Sequence, residues 1–374
     1  MIETSQFTTA EGMIDLGIGQ PQLSLLPHDI MRLAAEELLT GRDNSALNYG
    51  PARGDGYFRL ALAELLTSGY GFEVDPTTLM ATGGASQALA MLAQALAQPG
   101  DVVLVEEPTY FLAHQIFADA GLRVVGVEVG PNGLDPEALA AAISALSPKL
   151  LYTIPVHQNP SGVTLSESAR TEIVEICRQN GVLILADEVY QLLTYQGSTP
   201  RPMAGYLESG SVVSIGSFSK ILAPGLRLGW LQAPQQILDQ LTSLGMFASG
   251  GGINQFTGCL VKLLLENGQQ QKYLESLRAL YAHRVELMDR LLQESLAEKV
   301  TYQKPQGGYF FWLRLTDGRD AATLLPEANR QKVGYRAGAR FSTCGRFGDC
   351  LRLSFAHYAD DEIEQAVHRL ARVL

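Results

Sequence analysis

The stretch Ser217-Phe218-Ser219-Lys220-Ile221-Leu222-Ala223-Pro224-Gly225-Leu226-Arg227-Leu228-Gly229 sets one lysine among hydroxyls, glycines and an arginine. An amine condenses with a carbonyl only when unprotonated, and burial beside other cations lowers a lysine pKa enough to allow it. Ser217, Ser219 and Arg227 offer donors to a phosphate dianion, the arginine in a bidentate fork. The grouping suits a phosphorylated aldehyde. Most lysines are solvated, but Val212–Ile215 and Leu226–Trp230 read as short buried strands, which places Lys220 on a turn between two core elements.

Four further groups carry chemistry. Thr82-Gly83-Gly84-Ala85-Ser86 puts small residues where a helix begins, and free N–H groups there bind anions; an ordinary capped helix fits the same residues. Glu107-Pro108-Thr109-Tyr110-Phe111 follows a buried strand at its carboxyl end, where open α/β sheets place ligands, although Tyr110 also reads as a core aromatic. Asp187 closes an apolar strand, and a buried carboxylate there needs a cationic partner. Arg352 is the lone charge in Leu351-Arg352-Leu353-Ser354-Phe355, costly unless it meets an anion or joins a structural ion pair.

The lysine segment resembles the signature of the class I/II aminotransferases, which use pyridoxal 5'-phosphate (PLP) on fold type I, and the other segments occur in that family's order from Gly17-Ile18-Gly19-Gln20-Pro21 to the C-terminal helix. The resemblance implies that Lys220 carries the cofactor and shuttles the substrate α-proton. It implies that Gly84, Ala85, Ser86, Ser217, Ser219 and Arg227 hold the phosphate and that Tyr110 stacks on the pyridine ring. By the same resemblance Asp187 pairs with the ring nitrogen, while Tyr190 and Asn159, the latter in Gln158-Asn159-Pro160, bond the ring oxygen. Arg352, with Asn159 and Gly19, would bind the substrate carboxylate. Tyr49, in Leu47-Asn48-Tyr49-Gly50-Pro51, matches a tyrosine that reaches the phosphate of a partner, which implies a homodimer with shared active sites.

The 374 residues suit a large α/β domain with a mostly parallel sheet and a smaller α+β domain. Val102–Val105, Leu150–Ile154 and Val182–Ala186 are continuous apolar runs expected as strands buried on both faces, alternating with helical patterns at Ser86–Ala97, Glu137–Leu146 and Glu167–Gln179. A long amphipathic stretch, Tyr273–Leu296, begins a second unit with strands at Gly308–Leu315 and Leu351–Phe355 and helices at Ala321–Lys332 and Asp360–Arg372. The expected division is an N-terminal segment, 1–40, packing on the small domain, a PLP-binding domain, 41–272, and a small domain, 273–374. Gly250-Gly251-Gly252 reads as a flexible loop.

A net charge of −11 argues against a nucleic-acid surface. No apolar run spans a membrane and the first residues lack the pattern of a signal peptide, so a cytoplasmic protein is expected. The four cysteines are expected as reduced structural thiols, without a metal. The implied reaction is a ping-pong transamination between an L-amino acid and a 2-oxo acid. The same cofactor site serves β-lyases, including C–S lyases, and synthases. A non-catalytic ligand-sensing domain is a remoter alternative, which the acidic charge and the start of the chain at the family's first motif argue against. No arginine precedes Arg32 and none lies in 247–254, where dicarboxylate-specific relatives bring a second one, so a neutral or aromatic donor is favoured.

Overall fold

A computed structural model describes residue 6, residues 9–41 and residues 43–374; the start of the expected N-terminal segment lies outside the described residues. Strand β1 (Ile14–Asp15) is followed by the strands of a large sheet: β2 (Leu79–Thr82), β3 (Val102–Glu107), β4 (Arg123–Gly130), β5 (Gly133–Leu134), β6 (Leu150–Thr153), β7 (Leu183–Asp187), β8 (Val212–Ser217) and β9 (Gly229–Gln232). Their order is β2-β9-β8-β7-β6-β3-β4-β5. The pairs β3/β4, β3/β6, β6/β7 and β7/β8 are parallel, whereas β2/β9, β8/β9 and β4/β5 are antiparallel. Every residue of β3, β6 and β8 is buried, which explains why Val102–Val105 and Leu150–Tyr152 read as continuous apolar runs rather than alternating ones.

The parallel strands end along one sheet edge, where β7 closes on Asp187 and the turns beyond β3, β6 and β8 carry Tyr110, Asn159 and Lys220. At that edge Gly229 is the partner of both Thr82 and Ser217, so β2 and β8 finish, and β9 begins, in one row. A Cβ on Gly229 would lie 2.6 Å from Gly216 O and 2.9 Å from Gly84 Cα, so only glycine lets the Gly84 turn come so close.

The second unit opens with helix Gln269–Leu296, which begins four residues before the sequence-based estimate, directly after Gly268 at φ +72°. It carries β10 (Val300–Tyr302), β11 (Phe310–Leu315), β12 (Val333–Gly334), β13 (Arg336–Ala337) and β14 (Cys350–Ser354). An antiparallel sheet, β10-β11-β14-β13, sets Arg352 opposite Trp312 on one side and Arg336 on the other. The N-terminal stretch divides its contacts. β1 pairs in parallel with β12 and Asp15 forms an ion pair with Arg336 at 3.0 Å, while helix His28–Thr40 lies against helix Gln255–Glu266.

Two local readings need correction. The strand predicted at Leu226–Trp230 starts only at Gly229, because Pro224–Leu226 forms a 3-10 turn and Arg227 takes φ +46°, reversing the chain before β9. Gly250-Gly251-Gly252 is a packed junction. Gly252 N–H donates to Gly50 O at 3.0 Å, and a Cβ on Gly251 or Gly252 would strike the backbone carbonyl of Gly50 or Pro51. These glycines allow two backbone segments to touch, and composition alone does not tell that use from flexibility. Of the four thiols, Cys177, Cys259 and Cys350 are buried and Cys344 is exposed; none is paired. Among the described residues no helix is long and apolar enough to cross a membrane.

Candidate active site

The Lys220 turn is anchored from below. Phe218 is fully buried, its ring 5.1 Å from that of Trp230 and 6.2 Å from that of Phe58, and burying such a ring stabilises the turn by about 2–3 kcal/mol. With Phe218 turned into the core, the flanking serines stay at the sheet edge: Ser217 Oγ lies 3.0 Å from Ser219 Oγ and accepts the Ser219 N–H at 3.1 Å. Arg227 closes the cradle, donating to Ser219 Oγ at 3.5 Å and to Gly83 O at 3.2 Å.

Opposite lies helix Ala85–Leu96, preceded by Gly84 at φ +88°. Asp55, Asp135 and Ser166 cap other helices with their side chains, but no side chain caps this one. Its first N–H groups therefore face the arginine and serines with their anion-binding capacity unspent. Ser86 is exposed on the first turn. Two hydroxyls, a guanidinium and an open helix start together offer the donors that a phosphate dianion needs.

Lys220 Nζ donates to Gly19 O at 2.7 Å and stands 5.3 Å from the centroid of the Tyr309 ring, whose hydroxyl donates to Lys220 O at 2.9 Å. Burial lowers the amine pKa to about 8; nearby Arg352 and Arg227 push the same way, and Asp187 opposes them. The neutral amine is thus accessible near neutral pH.

Asp187, at the end of β7, is buried, and burial raises its pKa to about 6 against the hydrogen bond from Tyr152. Tyr152 O–H donates to Oδ2 at 2.8 Å, whereas Oδ1 is buried with no partner among the described residues. An orphaned carboxylate oxygen in such a place calls for a donor, preferably a cationic one. Tyr190 sits beside Tyr309 and Phe310, with ring centroids 5.6 and 6.0 Å away, and burial pushes its hydroxyl far above the usual phenol range. Tyr110, at the start of helix Phe111–Asp119, is pushed up to about 12 by burial, with Asp187 adding to the shift and Arg352 and Arg227 opposing it.

Arg352 is buried on β14. It donates to Asn159 Oδ1 and to Gly17 O, both at 2.8 Å, and its Nε has no partner among the described residues. Its guanidinium lies 3.9 Å from the Phe310 centroid and 5.0 Å from that of Phe341. Burial lowers its pKa to about 9, a sign of a cation that lacks a close anion.

The fold thus gathers Lys220, Asp187, Tyr190, Tyr110, Asn159, Arg352, Gly19, Ser217, Ser219, Arg227 and the Gly84-Ala85-Ser86 turn around one cleft. Tyr49 is the exception: it is 81 % exposed, and among the described residues no side-chain hydrogen bond ties it to the others. Sequence reasoning passed over Tyr152, Tyr309, Phe310 and Phe341. For Tyr152 a signal existed, a phenol in the buried run Leu150-Leu151-Tyr152-Thr153-Ile154.

These residues match the needs of a phosphorylated pyridine aldehyde: an anion cradle, an orphaned acid and an amine of lowered pKa. The family model for aminotransferase class I and II matches residues 11–370. The chain belongs to that family. It is an aminotransferase, and its cofactor is PLP. The chain is 31 % identical to aromatic-amino-acid aminotransferase 1 of Thermococcus litoralis, covering all of this chain and 89 % of that one. It is likewise 31 % identical to the 2-aminoadipate transaminase of Thermus thermophilus, over all of this chain and 92 % of the other. The crystal structure of Pyrococcus horikoshii kynurenine aminotransferase, in complex with PMP, superposes with a TM-score of 0.90 at 30 % identity, over 97 % of this chain and 91 % of that one. This aminotransferase has the PLP-dependent fold type I of its structural neighbours, with a large, mostly parallel mixed sheet.

Proposed function

We propose that the protein exchanges the amino group between a neutral or aromatic L-amino acid and a 2-oxo acid, both using one site in turn. The observation that carries this reading is the buried Arg352, whose partners, Asn159 and the Gly17 carbonyl, are neutral. An enclosed guanidinium of this kind is costly until an anion joins it, and the α-carboxylate shared by amino acids and oxo acids is such an anion. Phe310 and Phe341 flank the guanidinium, which supports an apolar or aromatic side chain rather than a second carboxylate.

When bound, PLP supplies the electron sink for the electrons released at the substrate α-carbon. Lys220 Nζ takes the α-proton and returns it, a task suited to an amine with a pKa near 8. Asp187 Oδ1 would accept the ring N–H and keep that nitrogen protonated, while Tyr152 occupies the other oxygen. Ser217, Ser219, Arg227 and the N–H groups of Gly84, Ala85 and Ser86 hold the phosphate. Tyr110 would cover the ring face, and Tyr190 and Asn159 would bond its oxygen. Gly19 lines the substrate side.

The same reading includes a homodimer. Leu47 and Tyr49 are exposed beside helix Gln255–Glu266, as are Tyr57 and Leu60 on helix Gly56–Tyr70 packed against that helix, and Phe256 on the helix itself. Contiguous exposed apolar groups of this kind mark an interface, and a second copy seated there lets Tyr49 reach its partner's phosphate.

A panel of L-amino acids offered without an oxo acid tests the reaction and the donor together. Neutral or aromatic donors should each aminate one equivalent of cofactor per chain and then stop. Continued release of ammonia, or of a fragment from the side chain, would make the protein a lyase and overturn the reading.

A further inference from the structure

Glu106 is buried at the end of β3, one residue before the turn that leads to Tyr110, yet among the described residues no cation is bonded to it. Its carboxyl accepts three hydrogen bonds. Thr153 Oγ1 donates to Oε1 at 2.5 Å, while Ile154 N and Gln158 Nε2 donate to Oε2 at 3.1 and 3.0 Å. Gln158 Nε2 also donates to Pro108 O at 2.6 Å, and Gln158 Oε1 accepts from Ser161 N and Ser161 Oγ at 2.8 and 2.7 Å. One side chain therefore ties the turn after β3 to the loop after β6, and the next residue in that loop is Asn159, the partner of Arg352 at 2.8 Å.

We propose that Glu106, acting through Gln158, is a positioning residue for the substrate carboxylate site, setting where Asn159 holds the Arg352 guanidinium. The proposal rests on the reading of Arg352 given above. Arg352 lies on the C-terminal unit, and Asn159 supplies its bond to a side chain of the large-sheet unit. A loop left to find its own position would move that bond, and a displaced guanidinium binds a planar carboxylate less well. Burial raises the Glu106 carboxyl to about 7, with Asp187 adding to the shift and the accepted hydrogen bonds opposing it, so a neutral carboxyl fits the pocket as well. In that form the proton on Oε1 turns toward Thr153 Oγ1, and Oε2 keeps both of its donors.

This geometry makes a conservative variant informative. In Glu106→Gln the amide nitrogen can donate to Thr153 Oγ1 while the oxygen accepts from Ile154 N and Gln158 Nε2. Holoenzyme single-turnover kinetics, with the best donor of the panel, give the half-saturating donor concentration and the saturating rate. Titration of apoenzyme with PLP gives the cofactor affinity. Glu106→Gln should stay within about twofold of the parent in all three, whereas Glu106→Ala and Gln158→Ala should raise half-saturation about tenfold, with the other two changed by less than about threefold. Placed on an Asn159→Ala background, Glu106→Ala should add little further loss. An unchanged half-saturation in both alanine variants overturns the proposal, as does a loss confined to rate, cofactor affinity and melting temperature. If Glu106→Ala does not fold, Gln158→Ala decides alone, since Thr153 and Ile154 still satisfy the carboxyl. Arg352→Ala is run beside them. Unchanged half-saturation there removes the carboxylate reading itself, whereas an effect there with none at Glu106 or Gln158 removes only this inference.

Discussion

At the Lys220 end of the cleft, Ser217, Ser219, Lys220 and Arg227 come from one turn between adjacent strands, pinned by the Phe218 ring beneath them. At the Arg352 end, the guanidinium comes from β14, its carbonyl partner from Gly17 near the N-terminus, and its amide partner from Asn159 after β6. The first end is a local construction that survives as long as two strands stay paired. The second exists only while three distant pieces of chain keep their places. Two hydrogen bonds, Lys220 Nζ to Gly19 O at 2.7 Å and Tyr309 O–H to Lys220 O at 2.9 Å, link the two. The contrast teaches that cofactor retention and substrate affinity should be separable, because different long-range contacts support them.

The largest separation should come from Lys220→Ala. Loss of the proton-transfer group should lower the half-reaction by at least about a thousandfold, while the cradle still holds PLP. Borohydride followed by peptide mapping should then fix no cofactor to the chain, and a trapped adduct on another lysine would move the assignment there. Arg352→Ala breaks the other end. Loss of a charge-assisted carboxylate pair costs about 2–4 kcal/mol, so half-saturation should rise about 30- to 1,000-fold while PLP affinity stays near that of the parent. A parallel loss of PLP affinity would show that the two ends are not independent.

A smaller effect follows from the amine pKa of about 8. The neutral amine is the form that captures the aldehyde, and its fraction grows as pH rises through the pKa. The capture rate of apoenzyme with PLP should therefore increase about tenfold between about pH 7 and about pH 9. A flat profile would place the pKa outside that window. The smallest change is expected at Arg346, which meets Glu128 across the two units at 3.0 Å with both side chains exposed. Screening and side-chain entropy leave such a pair little net effect, so Arg346→Ala should alter half-saturation by less than about twofold. A tenfold rise would show that the Arg352 end depends on surface contacts as well.

Legibility in the sequence followed the same division. The turn 217–229 could be read because the residues that need each other stand together, although its exit was misplaced: the αL conformation of Arg227 postpones β9 to Gly229. Asp187 could be read from its place after an apolar run, but Tyr152, which leaves Oδ1 free by occupying Oδ2, comes from the neighbouring strand and shows only through pairing. The glycines at 250–252 were misjudged because Gly50 and Pro51, which explain them, are about 200 residues away.

Residue pattern therefore settles the alternation of buried strands and helices, the lysine turn with its serines and arginine, and the presence of a lone acid and a lone arginine in apolar strands. These depend on burial and periodicity within a few residues, where each side chain's own solvation decides the outcome. Tertiary structure alone decides that Arg352 meets Asn159 and Gly17, that Asp187 keeps one free oxygen, and that Tyr49 remains exposed. Those outcomes rest on strand register and the packing of one unit on another, sums over many weak long-range contacts that no short window of sequence contains.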